Sequence, residues 1–259
     1  MPEKELYNEI KADEEIKSNF NPSLPIEKYD RFFQSGVLNP KGKIDFSGLG
    51  IDKLNWKRLT ALTSFSSLDG FYVRGVGATT VSVGFLGTML RSGAIANDFT
   101  YLNIANPSIP NITSYKNPLF QITAKVADQS FAEGFFGIYI GSGWPLDNAA
   151  GVEYIGFHLK NDQAYAVSRK NGIANNSTSL GLGSLEISDF RNYRFEVEST
   201  SANLTKIKFY VNEILKAEQI TNLPASLESA DIFLGVRNWN NGGQQDVNLL
   251  NLLYSQDFS

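Results

Sequence analysis

From residue 192 onward, apolar and polar residues alternate. The stretches YRFEVES, KIKFYVNEILKAEQI and ADIFLGVRNWNN each carry apolar side chains on one parity and mostly polar ones on the other, with polar turns between them. Successive side chains of a strand point to opposite faces, so a period of two marks strands with one buried face. The same texture reaches back to about residue 70. Thr79, Val81, Val83 and Phe85 share a parity, residues 99–104 read as a short strand, and Phe120, Ile122, Ala124 and Val126 alternate with Gln121, Thr123 and Lys125. Residues 133–140, EGFFGIYI, are apolar on both faces apart from Glu133, which predicts either a central strand covered on both sides or a strand under a long loop. Residues 152–159 alternate again, Asn161-Asp162 sits where a hairpin turn belongs, and QAYAVSR follows. Residues 171–190 read as loop with one weak strand.

About ten to twelve strands result, with no helical pattern between them, which favours an antiparallel sandwich over parallel β-α-β units. The first part of the chain differs. Residues 3–18 carry Leu6, Ile10 and Ile16 in a charged background and predict a short helix, and residues 19–50 hold Pro22, Pro25 and Pro40 and read as loop. Leu54, Trp56, Leu59 and Leu62 recur at a spacing that suits either a helix or an irregular strand. The expected organisation is a partly helical or irregular extension over 1–50 and one β-sandwich domain over 51–259.

Composition narrows the function classes. There is no Cys, so neither disulfides nor thiolate metal sites are available. The formal net charge is −4 without a basic block, which argues against a nucleic-acid partner. No run of about 18 apolar residues occurs to span a membrane. The charged N-terminus has no apolar stretch behind it and does not read as a secretory signal, so a cytoplasmic or virion-associated protein is expected. Under that reading the extension is either a docked tail or an arm that meets a second copy or another subunit.

The order FFGIYIGSGW, GVEYIGFHLKNDQAYAVSRKNG, YRFEVES, KIKFYVNEILKAEQI, ADIFLGVRNWNN and a closing apolar strand resembles the concanavalin-A-like lectin/glucanase jelly-roll superfamily, which includes laminin-G-like domains. FYVNEILKAEQITNLP, Phe209 to Pro224, resembles the family's strand–turn–strand phrase, and Gly151 to Gly172 resembles a second one. The resemblance covers roughly residues 70–255. It implies two stacked, curved antiparallel sheets, with glycan ligands on the concave sheet or the rim loops. Two departures matter. Glu213 stands in the hairpin turn where Gly is usual. No E-x-D-x-E run, carried by the retaining glucanases of the superfamily, is present.

The absent run argues against catalysis, which in a glycosidase needs two facing carboxylates. The carboxylates on predicted strands are Glu133, Glu153, Glu196, Glu198 and Asp246; Glu196 and Glu198 share Arg194's parity and read as a solvated strand face. His158, the one histidine, lies on the face of Tyr154 and Gly156. Sugar sites pair an aromatic platform with amides and carboxylates. Two loops have that composition: GSGWPLDN, with Trp144, Asp147 and Asn148, and VRNWNNGGQQD, with Arg237, Asn238, Trp239, Asn240, Asn241 and Gln244. Tyr154, Tyr165 and His158 lie on the hairpin between them. No cofactor is expected. Asp128, Asp147 and Asn148 offer oxygen donors for a structural calcium ion, but without the spacing of a dedicated loop. The sequence therefore favours a non-catalytic structural or recognition module with glycan as candidate ligand, a virion component among its settings. A polysaccharide-cleaving glycoside hydrolase and an intracellular protein-interaction module are the alternatives.

Overall fold

The computed structural model describes the backbone of residues 56–58, 71–76, 80–84, 87–104, 117–126, 132–147, 149–160, 163–183, 189–200, 203–225, 227, 230–240 and 243–255, and side chains between 89 and 252. The expected N-terminal helix, the turn at 161–162, and Asp128, Asn148 and Asn241 lie outside the described residues.

Two antiparallel sheets face each other as a β-sandwich. The first has eight strands. Along it run β13 (Ile214–Gln219), β12 (Asn203–Val211), β11 (Arg191–Thr200), β6 (Leu119–Val126), β15 (Asp246–Ser255), β4 (Gly87–Arg91) and β3 (Thr80–Gly84), while β1 (Trp56–Arg58) also pairs with β15. The second has seven: β10 (Asn176–Ser179), β9 (Gln163–Arg169), β8 (Glu153–Lys160), β7 (Ala132–Ile140), β14 (Asp231–Asn238), β5 (Phe99–Ile104) and β2 (Phe71–Val76). The described strands outnumber the ten to twelve expected because strands as short as β1 and β4 leave no clear alternation. Trp56–Arg58, at the spacing that suited helix or strand, is strand.

The apolar parity of each strand meets in the middle. Phe120, Tyr193, Phe195 and Phe209 of the first sheet interleave with Phe136 and Phe157 of the second. Phe120 stacks on Phe195 at 5.1 Å between centroids, and Phe157 meets Phe209 edge-on at 5.5 Å. Such offset and edge-to-face pairs align negative ring faces with positive ring edges. On one flank Gln219 Nε2 donates to the Ala166 carbonyl oxygen at 3.0 Å and ties β13 to β9 across the sheets.

Strand β7 is buried from Ala132 to Tyr139, as its two-sided apolar sequence predicts. Its partner β14 is buried from Ile232 to Asn238. The second sheet is therefore covered on its outer face as well as its inner one.

The hairpin between β12 and β13 turns through Asn212 (φ 48°) and Glu213 (φ 67°), with Val211 paired to Ile214. Two consecutive left-handed residues define a type I′ turn, which matches the strand twist. Asn adopts that conformation readily and Glu does not. Here the Glu213 carboxylate reaches back to Arg194 Nη2 at 2.8 Å, which offsets the backbone cost.

Candidate functional site

Strand register sorts the outward-facing side chains of the second sheet into cross-strand rows. Across β9, β8, β7, β14 and β5, one row reads Gln163, Lys160, Glu133, Arg237, Phe99. The next reads Tyr165, His158, Phe135, Gly235, Tyr101. The third begins Val167, Gly156, Gly137, Phe233, and the fourth Arg169, Tyr154, Tyr139, Asp231. Polar chemistry thus gathers at one end of the sheet and aromatic bulk fills the rest.

The aromatic part is a second core. Phe135, Tyr139, Trp144, Tyr154, Val167, Phe233 and Tyr101 pack into one cluster. Gly137 and Gly156 sit side by side beneath it. A Cβ on Gly137 would stand 2.1 Å from the Ile155 carbonyl oxygen, and one on Gly156 would stand 2.8 Å from the Phe135 ring, so the absence of side chains here lets the ring settle onto the sheet. The loop after β7 folds back over this face. Trp144 is 2% exposed, contacts Phe233 edge-on at 5.7 Å and lies 6.0 Å from Phe99, and a single 3-10 turn, Pro145–Asp147, follows it. Burial pushes the Tyr154 hydroxyl up to about 12.

Glu133 is the hub of the polar end. Its side chain is 2% exposed. Oε1 faces His158 Nε2 at 3.0 Å and Lys160 Nζ at 3.4 Å, while Oε2 takes Arg237 Nε at 2.5 Å. Burial alone would raise this carboxyl, but the His158 hydrogen bond and the charges of Arg237 and Lys160 outweigh it and hold Glu133 down to about 2. An ionised carboxylate only accepts, so His158 Nε2 carries the proton of their hydrogen bond. Arg237 also pairs with Asp147 through Nη1 and stacks its guanidinium over Trp144 at 5.1 Å. Lys160 lies over the Trp239 ring at 4.7 Å, and the His158 ring is 5.9 Å from that of Tyr165, whose hydroxyl bonds Gln163 Oε1.

The two Trp loops accordingly converge through Arg237 rather than through their indoles. Of the residues singled out in the sequence, Trp144 and Tyr154 belong to the buried cluster, and Arg237 is buried between two carboxylates. Asn238 is fully buried and donates to the Gly93 and Gly243 carbonyls at 3.3 and 2.8 Å, while its Oδ1 accepts from Asn240 N at 3.2 Å, which shapes the 238–243 loop. His158 and Trp239 are half-buried at the polar end, and Asp147, Asn240 and Gln244 are exposed. Lys160 and Gln163 were not singled out. Parity would have put Lys160 beside His158, but their meeting with Glu133 depends on register.

Elsewhere the carboxylates are committed to neighbours, those of Glu196, Glu198 and Asp246 on the outer face of the first sheet. Glu196 is buried against Arg194 rather than solvated as expected, and Glu198 pairs with Lys208 at 2.5 Å. Asp246 takes Arg91 Nε and Nη2, each at 2.6 Å. Glu153 accepts from Asn171 N at 3.1 Å at a strand end. Among the described residues, no three His, Asp or Glu side chains are grouped to hold a metal ion, and no helix is long and apolar enough to cross a membrane. A separate open cavity of about 250 Å³ lies between Lys170, Ile173, Asn203, Leu204, Ile220 and Asn222, and more of its exposed wall is polar than apolar.

Solved structures share this fold. The chain is similar to the β-glucanase of Bacillus licheniformis at 14% identity and a TM-score of 0.52, covering 78% of this chain and 97% of that one. It is similar to a prokaryotic β-1,3-1,4-glucanase (lichenase) derived from a mouse hindgut metagenome at 13% identity and a TM-score of 0.55, over 78% and 98% of the two chains. It is also similar to the carbohydrate recognition domain of Emp47p, at 12% identity and a TM-score of 0.55, over 78% and 94%. The fold is the concanavalin-A-like lectin/glucanase jelly roll that the sequence resembles. No family model and no curated protein sequence matches the chain.

Proposed function

We propose that the protein is a carbohydrate-interacting jelly-roll module whose sugar-contact surface is the polar end of the seven-stranded sheet. The observation that carries this reading is the grouping of two partly exposed aromatic rings, Tyr165 and Trp239, with His158, Lys160 and Gln163 around one buried carboxylate. Ring faces stack on the apolar C–H faces of a pyranose, and imidazole, ammonium and amide groups satisfy its hydroxyls. Glu133 holds His158 and Lys160 in position, so the imidazole ring and the ammonium donors are fixed before a ligand arrives. Glycan-array binding tests the reading. Trp239→Ala and Tyr165→Ala are each expected to weaken the wild-type signal about tenfold, while a wild type that binds no glycan overturns it.

A second reading, cleavage of a polysaccharide, draws support from the glucanases among the similar structures and from two carboxylates, Glu133 and Asp147, on one guanidinium. Against it, Glu133 is buried and held ionised by Arg237, Lys160 and a hydrogen bond from His158, which leaves it without the proton a general acid must give. Release of reducing ends from a polysaccharide panel, abolished by Glu133→Gln, would move the assignment to an enzyme. Residues 1–50 fit an extension to a sandwich over 51–259, and a virion setting rests on that extension's sequence alone. Light scattering of the full chain tests it, since a strict monomer removes the argument for assembly.

A further inference from the structure

We infer that the proposed sugar surface is a dead end, so that the protein takes the terminus of a glycan rather than an internal stretch of a polymer. The inference rests on the carbohydrate reading above and specifies which part of a glycan that surface accepts. A polymer crossing this face along the strands would have to pass over the third and fourth rows. Those rows are occupied: Phe135 lies over the Gly156 position, Tyr139 and Tyr154 fill the far end, and all three are buried. A polymer running across the strands along the first row would meet the second obstruction. There the turn at Trp144–Asp147 sits against Phe99 and over Arg237, with Asp147 bonded to the guanidinium. Among the described residues, the direction left unobstructed is the β9 side, where Gln163 is exposed.

What remains accessible spans the side chains from β9 to Trp239 beyond β14, about 14 Å across four strands, and two rows, about 7 Å along them. That footprint suits one or two sugar rings. Tyr165 and Trp239 stand at its two sides as stacking faces, and the His158 ring and the Lys160 ammonium lie between them as polar contacts. The plug is part of the fold rather than a movable lid: Phe135, Phe233 and Tyr139 are strand residues locked ring against ring at 5.9 and 5.4 Å.

Length dependence tests this on the full chain. Gluco-, manno- and galacto-oligosaccharide ladders, each from monosaccharide upward with its parent polymer, would be titrated calorimetrically. Affinity is expected to level off by the disaccharide, and the polymer is expected to saturate at a stoichiometry set by its chain ends. Capping the terminal ring that binds should lower affinity at least tenfold. Affinity that keeps rising with each added sugar, or polymer binding in proportion to mass, overturns the dead end and leaves the carbohydrate reading standing. A wild type silent on every ladder and on the array overturns both. Tyr165→Ala, at a half-buried site on the margin of the aromatic cluster, should lose the disaccharide while the near-ultraviolet circular dichroism of the plug stays near that of the wild type.

Discussion

At Glu133, burial and charge act in opposite directions, and charge wins. The carboxyl sits near 2 instead of its ordinary 4.5 because His158, Arg237 and Lys160 surround it. A folded-state value below the unfolded one adds stability above the unfolded value, and that stability is lost as pH falls through the folded one. Unfolding free energy should therefore decline between about pH 4.5 and about pH 2. Glu133→Gln should flatten that slope and cost about 2–3 kcal/mol at neutral pH, the scale of hydrogen bonds to charged groups. Urea titrations of both proteins at pH 7 and pH 3 check this: an equal gap at the two pH values would contradict it. Little of the cluster was legible in sequence. Glu133 stood out as the one charge in EGFFGIYI, and His158 as the one histidine, but pairing Phe135 with His158 and Glu133 with Lys160 is a matter of register, which alternation does not specify across separate strands.

At the scale of elements, alternation predicts what is buried, and glycines decide how the outer face is filled. Gly137→Ala would drive a Cβ to 2.1 Å from a backbone oxygen, and backbone gives way less easily than a side chain. The substitution is expected to destabilise by about 1–3 kcal/mol or more and to loosen the aromatic plug, read as a lowered thermal midpoint with altered near-ultraviolet circular dichroism. The hairpin at Asn212-Glu213 offers a sharper comparison. Glu213→Gly removes a left-handed cost of about 1 kcal/mol but also the partner of buried Arg194, whereas Glu213→Ala removes the partner and keeps the cost. Both should destabilise, with Ala worse than Gly by about 1 kcal/mol in thermal unfolding. The turn itself was readable from Asn212, as was the two-sided burial of β7. The burial of Trp144 was not, because a tryptophan in turn-like sequence carries no sign of whether its loop folds inward.

For the whole molecule, stability comes from the aromatic interleave between the sheets. Phe157 contacts Tyr193, Phe195 and Phe209 at 5.3, 6.2 and 5.5 Å, so it joins three rings of the opposite sheet. Phe157→Ala should cost about 3–5 kcal/mol, measurable by denaturant titration. A loss under about 1 kcal/mol would mean that the surrounding rings close the gap, an outcome their mutual packing argues against.

The positions of β14 and β15 carry a kinetic consequence. Both follow every other described strand in chain order, yet each lies inside a sheet: β14 between β7 and β5, and β15 between β6 and β4. Neither sheet has its central pairings until these strands arrive, and the contacts they close link residues as far apart as Trp56 and Leu253. Loop closure over such separations is slow, so a chain emerging from the ribosome cannot complete either sheet until β14 and β15 have emerged. Through that interval the unpaired edges of β5, β6 and β7 are exposed to other chains. A chain ending before Asp246 should therefore aggregate rather than form a smaller sandwich.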